Sequence, residues 1–235
     1  GLVIFAADNP GSGYIAAVHR ESGDIVWRKP RRAGTSYATA NILESGGRPR
    51  LVIGGLESLV SFDPLTGDQQ WSCDGLTEAV VGTAVSEGDL VFASGGYPGS
   101  ATLCVNAATG KEVWHNDVKA YEPSMLVLNG HLYSYSQGGI LYCWNAATGA
   151  ELWKKRIGGD VSASLVAHGD LLFATNEAGQ TTVFRANPAQ YEELAQYQLG
   201  TEGFASPAIC RGRIYIRTAT GDGPQRQETL YCIGQ

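Results

Sequence analysis

The sequence predicts an all-β protein built from repeated four-stranded antiparallel sheets, and three observations predict it. A phrase of apolar strand, Asp/Asn-x-x-Thr-Gly and Trp four residues after the Gly ends at Trp27, Trp71, Trp114 and Trp153, at intervals of 44, 43 and 39 residues. Between successive phrases lie two apolar runs joined by a Gly-containing turn, as in VVGTAVSEGDLVFAS, residues 80 to 94. Glycine supplies 31 of the 235 residues, about twice the usual ~7%, which suits many tight turns. No stretch carries a 3.6-residue apolar stripe long enough for a helix. Four short strands in a period of about 40 residues are the signature of a β-propeller blade.

The copies run in order along the chain. YIAAVHRESGDIVW places His19 in the Asp/Asn column, with Gly23 and Trp27 after it. LVSFDPLTGDQQW carries Asp63, Gly67 and Trp71; LCVNAATGKEVW carries Asn106, Gly110 and Trp114; LYCWNAATGAELW carries Asn145, Gly149 and Trp153. The fifth copy, TTVFRANPAQYEELAQY at 181 to 197, has a longer turn and puts Leu194 in the Trp place. Tyr191 to Gln198 is a strand after a wide loop on this reading. A truncated copy follows at Glu228 to Gly234, and further two-strand units lie at 123 to 136, 162 to 175 and 206 to 218. The apolar opening Leu2-Val3-Ile4-Phe5-Ala6 is a second strand and the chain ends on a third. The expectation is a single domain over 1 to 235 with about five and a half blades. It would be the C-terminal part of a longer chain folding as a seven- or eight-bladed propeller.

Each residue of the phrase has a physical task. The Asp or Asn side chain accepts backbone N–H groups two residues on, and Gly supplies a positive φ, closing a tight turn between third and fourth strands. Trp then falls at one fixed place on the fourth strand, where a large flat ring can bridge to the adjacent sheet while its N–H finds a carbonyl. Aligning on the turn Gly sets Ala17, Ser61, Cys104, Cys143 and Cys232 in one column, a place for small side chains between packed sheets. These tryptophans and glycines are therefore structural residues.

Composition excludes several classes. A net charge of −6 and a pI near 5.2 argue against a nucleic-acid surface, which needs clustered Lys and Arg; the run from Arg28 to Arg32 is a short loop. No apolar run approaches the ~18 residues of a membrane-spanning helix. Five separated cysteines without a CxxC pair suggest neither a disulfide framework nor zinc. GxSxG is absent, and GGYPGS is not followed by a helix, so it is no phosphate cradle. No catalytic, cofactor-binding or metal residue is assigned.

The phrase Cys104-Val105-Asn106-Ala107-Ala108-Thr109-Gly110-Lys111-Glu112-Val113-Trp114 resembles the repeat named for pyrroloquinoline quinone (PQQ) enzymes, and the resemblance covers nearly the whole chain. The run also resembles exported PQQ-like propeller proteins of planctomycete-type bacteria. The family includes quinone-dependent dehydrogenases and proteins without cofactor. Its dehydrogenases carry a vicinal Cys-Cys pair over the quinone, a Trp beneath it and a calcium site. Here no two cysteines are adjacent, and only Trp144 lies outside the structural column, where it replaces a Leu of the hallmark. The resemblance thus implies a non-enzymatic propeller that binds a protein partner in the bacterial envelope, periplasmic or secreted. The alternatives are an oxidoreductase holding PQQ and Ca2+, and a carbohydrate-binding module.

A binding face is expected on the variable loops. Fourth-to-first connections are Lys29 to Ser36, Ser72 to Ala79, His115 to Glu122 and Tyr197 to Phe204. Second-to-third connections are Asp8 to Gly11, Gly95 to Ser100 and Ala219 to Glu228. Tyr37, Tyr97, His115, Lys119, Tyr121 and Glu122 are the candidate contact residues, with His115 placed in the HNDVKAYE loop.

Overall fold

The computed structural model describes residues 1–234. Six antiparallel sheets occur among them, each ordered as the chain runs. The first holds β1 (Leu2–Ala7), β2 (Tyr14–His19) and β3 (Ile25–Pro30). The second holds β4 (Asn41–Ser45), β5 (Arg48–Gly55), β6 (Ser58–Phe62) and β7 (Gln69–Asp74). The third holds β8 (Val85–Glu87), β9 (Leu90–Gly95), β10 (Ala101–Asn106) and β11 (Glu112–Asn116). In the fourth are β12 (Leu126–Leu128), β13 (His131–Ser136), β14 (Ile140–Asn145) and β15 (Glu151–Arg156). The fifth contains β16 (Val166–His168), β17 (Leu171–Thr175), β18 (Gln180–Arg185) and β19 (Glu193–Gln198). The sixth has β20 (Ala208–Cys210), β21 (Arg213–Thr220) and β22 (Gln227–Ile233). This is the predicted repeat: strands two to four, four whole blades, then strands one to three. A single 3-10 turn at Gly223–Gln225 is the helical structure among the described residues.

Two compact units divide the chain, Gly1–Tyr121 with Ala147–Gly149, and Glu122–Ala146 with the residues from Ala150 on. In the first unit, Ile15, Ala17 and Trp27 pack with Leu51, Ile53, Val60 and Phe62. Trp71 and Val52 join Val91, Leu103 and Val105. In the second, Tyr133, Cys143 and Leu141 pack with Leu172 and Phe184. Middle strands are covered on both faces, so β9 and β10 are buried at nearly every position and carry mostly apolar or small residues. Outer strands bury little beyond one position: β3, β7 and β11 each bury only their Trp.

Those tryptophans join sheets. Trp27 Nε1 donates to Pro64 O at 3.1 Å, Trp71 Nε1 to Ala107 O at 2.7 Å, and Trp153 Nε1 to Asn187 O at 2.8 Å. Each acceptor lies in the turn of the following sheet. The turns close as expected: Asp63 Oδ1 accepts Leu65 N–H at 2.8 Å, Asn106 Oδ1 accepts Thr109 N–H at 3.0 Å, and Gly67 and Gly110 have φ of +72° and +70°. The turn Gly has a second reason that sequence reasoning missed. A Cβ on Gly67 would stand 2.5 Å from the Trp27 ring, on Gly110 2.5 Å from Trp71 Cβ, and on Gly149 2.6 Å from the Trp114 ring. The Trp side chain lies against the glycine of the next turn. Gly23, with no preceding sheet in the described residues, meets nothing within 4 Å.

Two expectations need correction. Residue 195, not Leu194, occupies the fifth Trp place. Across the sheets the small-residue column faces the Trp column in register: Ala17 with Trp27, Ser61 with Trp71, Cys104 with Trp114, Cys143 with Trp153, and Val183 with Ala195. Leu194 is 43% exposed, and Val26, Val113 and Leu152, one residue before their tryptophans, are exposed too. The small-residue column is also less uniform than predicted. Ala17, Ser61, Cys104 and Cys143 are fully buried, but Val183 fills the fifth place and Cys232, on the outermost strand of a three-stranded sheet, is exposed.

A hydroxyl column was not anticipated. In the second unit Ser124 N–H donates to Ser164 Oγ and Ser164 N–H to Ser206 Oγ, both at 2.9 Å. The signal is in the sequence: Ser/Thr recurs just before each first strand, at 39, 83, 124, 164 and 206.

Candidate functional site: the tied loops of the first unit

The connections at one end of the first three sheets are bonded to one another. Arg31 N–H donates to Gly13 O at 2.9 Å and Gly34 N–H to Asn9 O at 3.1 Å. Arg31 and Asp8 form a two-pronged ion pair of 2.7 and 3.0 Å, their side chains 4% and 3% exposed. Such a pair costs desolvation but holds geometry, and removing one partner would strand a buried charge. Leu56 N–H donates to Glu78 O at 2.7 Å and Glu57 N–H to Thr77 O at 3.1 Å. Backbone groups that would otherwise face water are paired from loop to loop.

Tyr37 and Tyr97 meet on this framework. Tyr37 N–H donates to Val80 O at 2.9 Å, and Ala79 N–H donates to Tyr97 O at 3.0 Å. Both tyrosines are thus pinned to the same dipeptide, while their side chains remain 64% and 63% exposed. Thr77 Oγ1 braces the dipeptide through Ala79 O at 2.9 Å. Tyr121 is half-buried over the neighbouring Gly96, where a Cβ would come within 2.5 Å of its own Cβ. Lys119 is half-buried on the same segment, whose Ala120 N–H donates to Ser94 Oγ at 2.8 Å. Of the six predicted contact residues, the structure ties Tyr37, Tyr97, Tyr121 and Lys119 into this set of loops.

His115 lies elsewhere. It is a residue of β11, not of the following loop, because β11 continues two residues past Trp114 in register with β10. Its Nδ1 is 2.7 Å from Glu112 Oε1, and that carboxylate raises the pKa of the exposed imidazole. Glu122 is exposed and opens the second unit.

Successive antiparallel sheets of three or four strands, with a tryptophan at one fixed place in the first four, define a partial β-propeller of the PQQ-like class. The family model described as outer membrane protein assembly factor BamB matches residues 99–222, more than half of the chain, and the chain belongs to that family. BamB of Moraxella catarrhalis is similar in structure, with a TM-score of 0.71 at 17% identity over 91% of this chain and 68% of that one. The quinohemoprotein alcohol dehydrogenase ADHIIG of Pseudomonas putida gives 0.70 at 14% identity, over 93% of this chain and 53% of its own. A chain of a mitotic checkpoint complex gives 0.69 at 16% identity, over 100% and 72%. This chain therefore spans 53 to 72% of these structures. No curated protein matches it. Among the described residues no helix is long and apolar enough to cross a membrane.

Proposed function

We propose that the protein is a non-enzymatic scaffold of the bacterial envelope that binds a protein partner through the tied loops carrying Tyr37, Tyr97 and Tyr121. The observation that carries this reading is the pair of exposed tyrosines anchored on the Ala79-Val80 dipeptide. Interfaces concentrate their energy in aromatic anchors, and an aromatic held on a rigid backbone loses little entropy on binding. Membership of a family described by an outer-membrane assembly factor supports the envelope setting.

The residues present do not fit the quinone of the family's dehydrogenases. None of the five cysteines forms a disulfide and none is adjacent to another. Trp144 is 2% exposed and stacked on Tyr142, with centroids 4.9 Å apart and planes 7° from parallel. The test is site-specific photocrosslinking in envelope preparations from position 97, with position 65 as an equally exposed control. A discrete partner captured from 97, lost in Tyr37→Ala and not captured from 65, is expected. Equal capture from both positions contradicts the reading.

A further inference from the structure

Ala195 leaves a slot between the fifth and sixth sheets that is filled elsewhere. In the fourth sheet Tyr133, Cys143 and Trp153 stand in register across β13, β14 and β15. The Trp153 ring lies 6.1 Å from Tyr133, 6.3 Å edge-on from Phe184 and 5.7 Å from Tyr191. The same register in the fifth sheet reads Phe173, Val183, Ala195. On the facing sheet, register makes Ile214 the counterpart of Leu172 and Ile233 that of Phe184. Between these walls lies a cavity of about 470 Å³, lined chiefly by aliphatic and aromatic side chains. Its polar contributions are the Thr181 hydroxyl, engaged by Thr175 at 2.9 Å, and Tyr197, which is 58% exposed.

We propose that this slot is a binding site for a small planar aromatic molecule of indole size. The volume lies within the ~300–1,000 Å³ of ordinary ligand sites. The slot is open to solvent along Leu194, Tyr197 and Ile233, and a ligand that covers its aliphatic walls removes apolar surface from water. The chain itself selects the shape, since an indole is what occupies the homologous slot at Trp27, Trp71 and Trp153. Facing sheets sit about 10 Å apart, and the loss of one ring leaves a gap one ring thick. An aromatic heterocycle with a single N–H reproduces the packing that Trp153 makes one sheet earlier.

Indole itself is the probe, followed by ligand-observed NMR and by the unfolding temperature of the whole chain. Saturable binding to the wild type and a rise in unfolding temperature are expected. Ala195→Trp should weaken that binding at least tenfold, and Ala195→Leu should weaken it by less. Absence of saturable binding to the wild type overturns the proposal, as does undiminished binding to Ala195→Leu. Circular dichroism of each variant establishes folding; if Ala195→Trp does not fold, Ala195→Leu decides alone.

Discussion

Trp71 lies directly on Gly110: a Cβ at residue 110 would stand 2.5 Å from Trp71 Cβ and 2.6 Å from Cγ. The Gly is fixed twice, by a φ of +70° and by the ring above it. Gly23 has the same kind of backbone, φ +78°, and open space around it. Gly23→Ala should therefore cost only the left-handed penalty of about 1–2 kcal/mol. Gly110→Ala should cost at least about 2 kcal/mol more, because the indole must shift. Thermal unfolding of the two variants checks this. Equal losses would remove the ring contact from the account.

Ala195 stands where the other sheets hold Trp, beside open apolar volume. Ala195→Trp should stabilise the protein by about 1–2 kcal/mol, the fraction of a buried aromatic's transfer energy left after ordering it. Leu194→Trp should bring a smaller gain, since residue 194 borders the same volume but is 43% exposed. Denaturant unfolding of both variants provides the comparison, and a gain at 194 rather than 195 would restore the original alignment of the fifth repeat.

The cysteines should fall into two reactivity classes. Burial pushes the Cys104 thiol up to about 12 and Cys143 up to about 11, whereas Cys210 and Cys232 are exposed. At pH 8 the buried pair holds almost no thiolate, the reactive form. Titration with a disulfide reagent should label Cys210 and Cys232 quickly, and Cys104 and Cys143 only after unfolding. Fast labelling of Cys104 in the native protein would contradict its place between sheets.

His115 should titrate above the ordinary 6.5, its imidazolium held first by the hydrogen bond to Glu112 and then by that residue's charge. The folded pKa is raised, so the stabilising contribution is fully present below the unfolded value and is lost as pH rises through the folded one. Glu112→Gln should bring the His115 pKa down. Proton NMR of the ring against pH measures both. A titration unchanged in Glu112→Gln would break the pairing.

Much of this fold was legible because the repeat is written in chemistry with one solution. Asp63 or Asn106 followed by Thr and Gly makes one turn, and a Trp four residues later lands on one side of a strand. The fifth repeat escaped because its turn, 187 to 192, has no Gly from which to count. Leu194 drew the Trp assignment by being apolar, although the residue before three of the four tryptophans, Val26, Val113 or Leu152, is apolar and exposed too. His115 was misplaced because a strand's end leaves no mark in sequence when its last residues are polar. Tyr37, Tyr97 and Tyr121 could be named as loop residues, but their attachment to one framework depends on backbone hydrogen bonds between distant segments, which side-chain patterns do not encode. The contact of Trp71 with Gly110 is of that kind too.

A double-mutant cycle at Trp71 and Gly110 tests the central claim most directly, that the recurrent tryptophans join neighbouring sheets by lying on their turn glycines. Unfolding free energies of Trp71→Ala, Gly110→Ala and the double variant yield the coupling. With the ring gone, Gly110→Ala should cost less than it does beside the intact indole, the contacts with Cγ and Cδ2 having vanished while that with the residue-71 Cβ stays. An unchanged cost of Gly110→Ala with and without the indole would mean that ring and glycine do not touch in the way described.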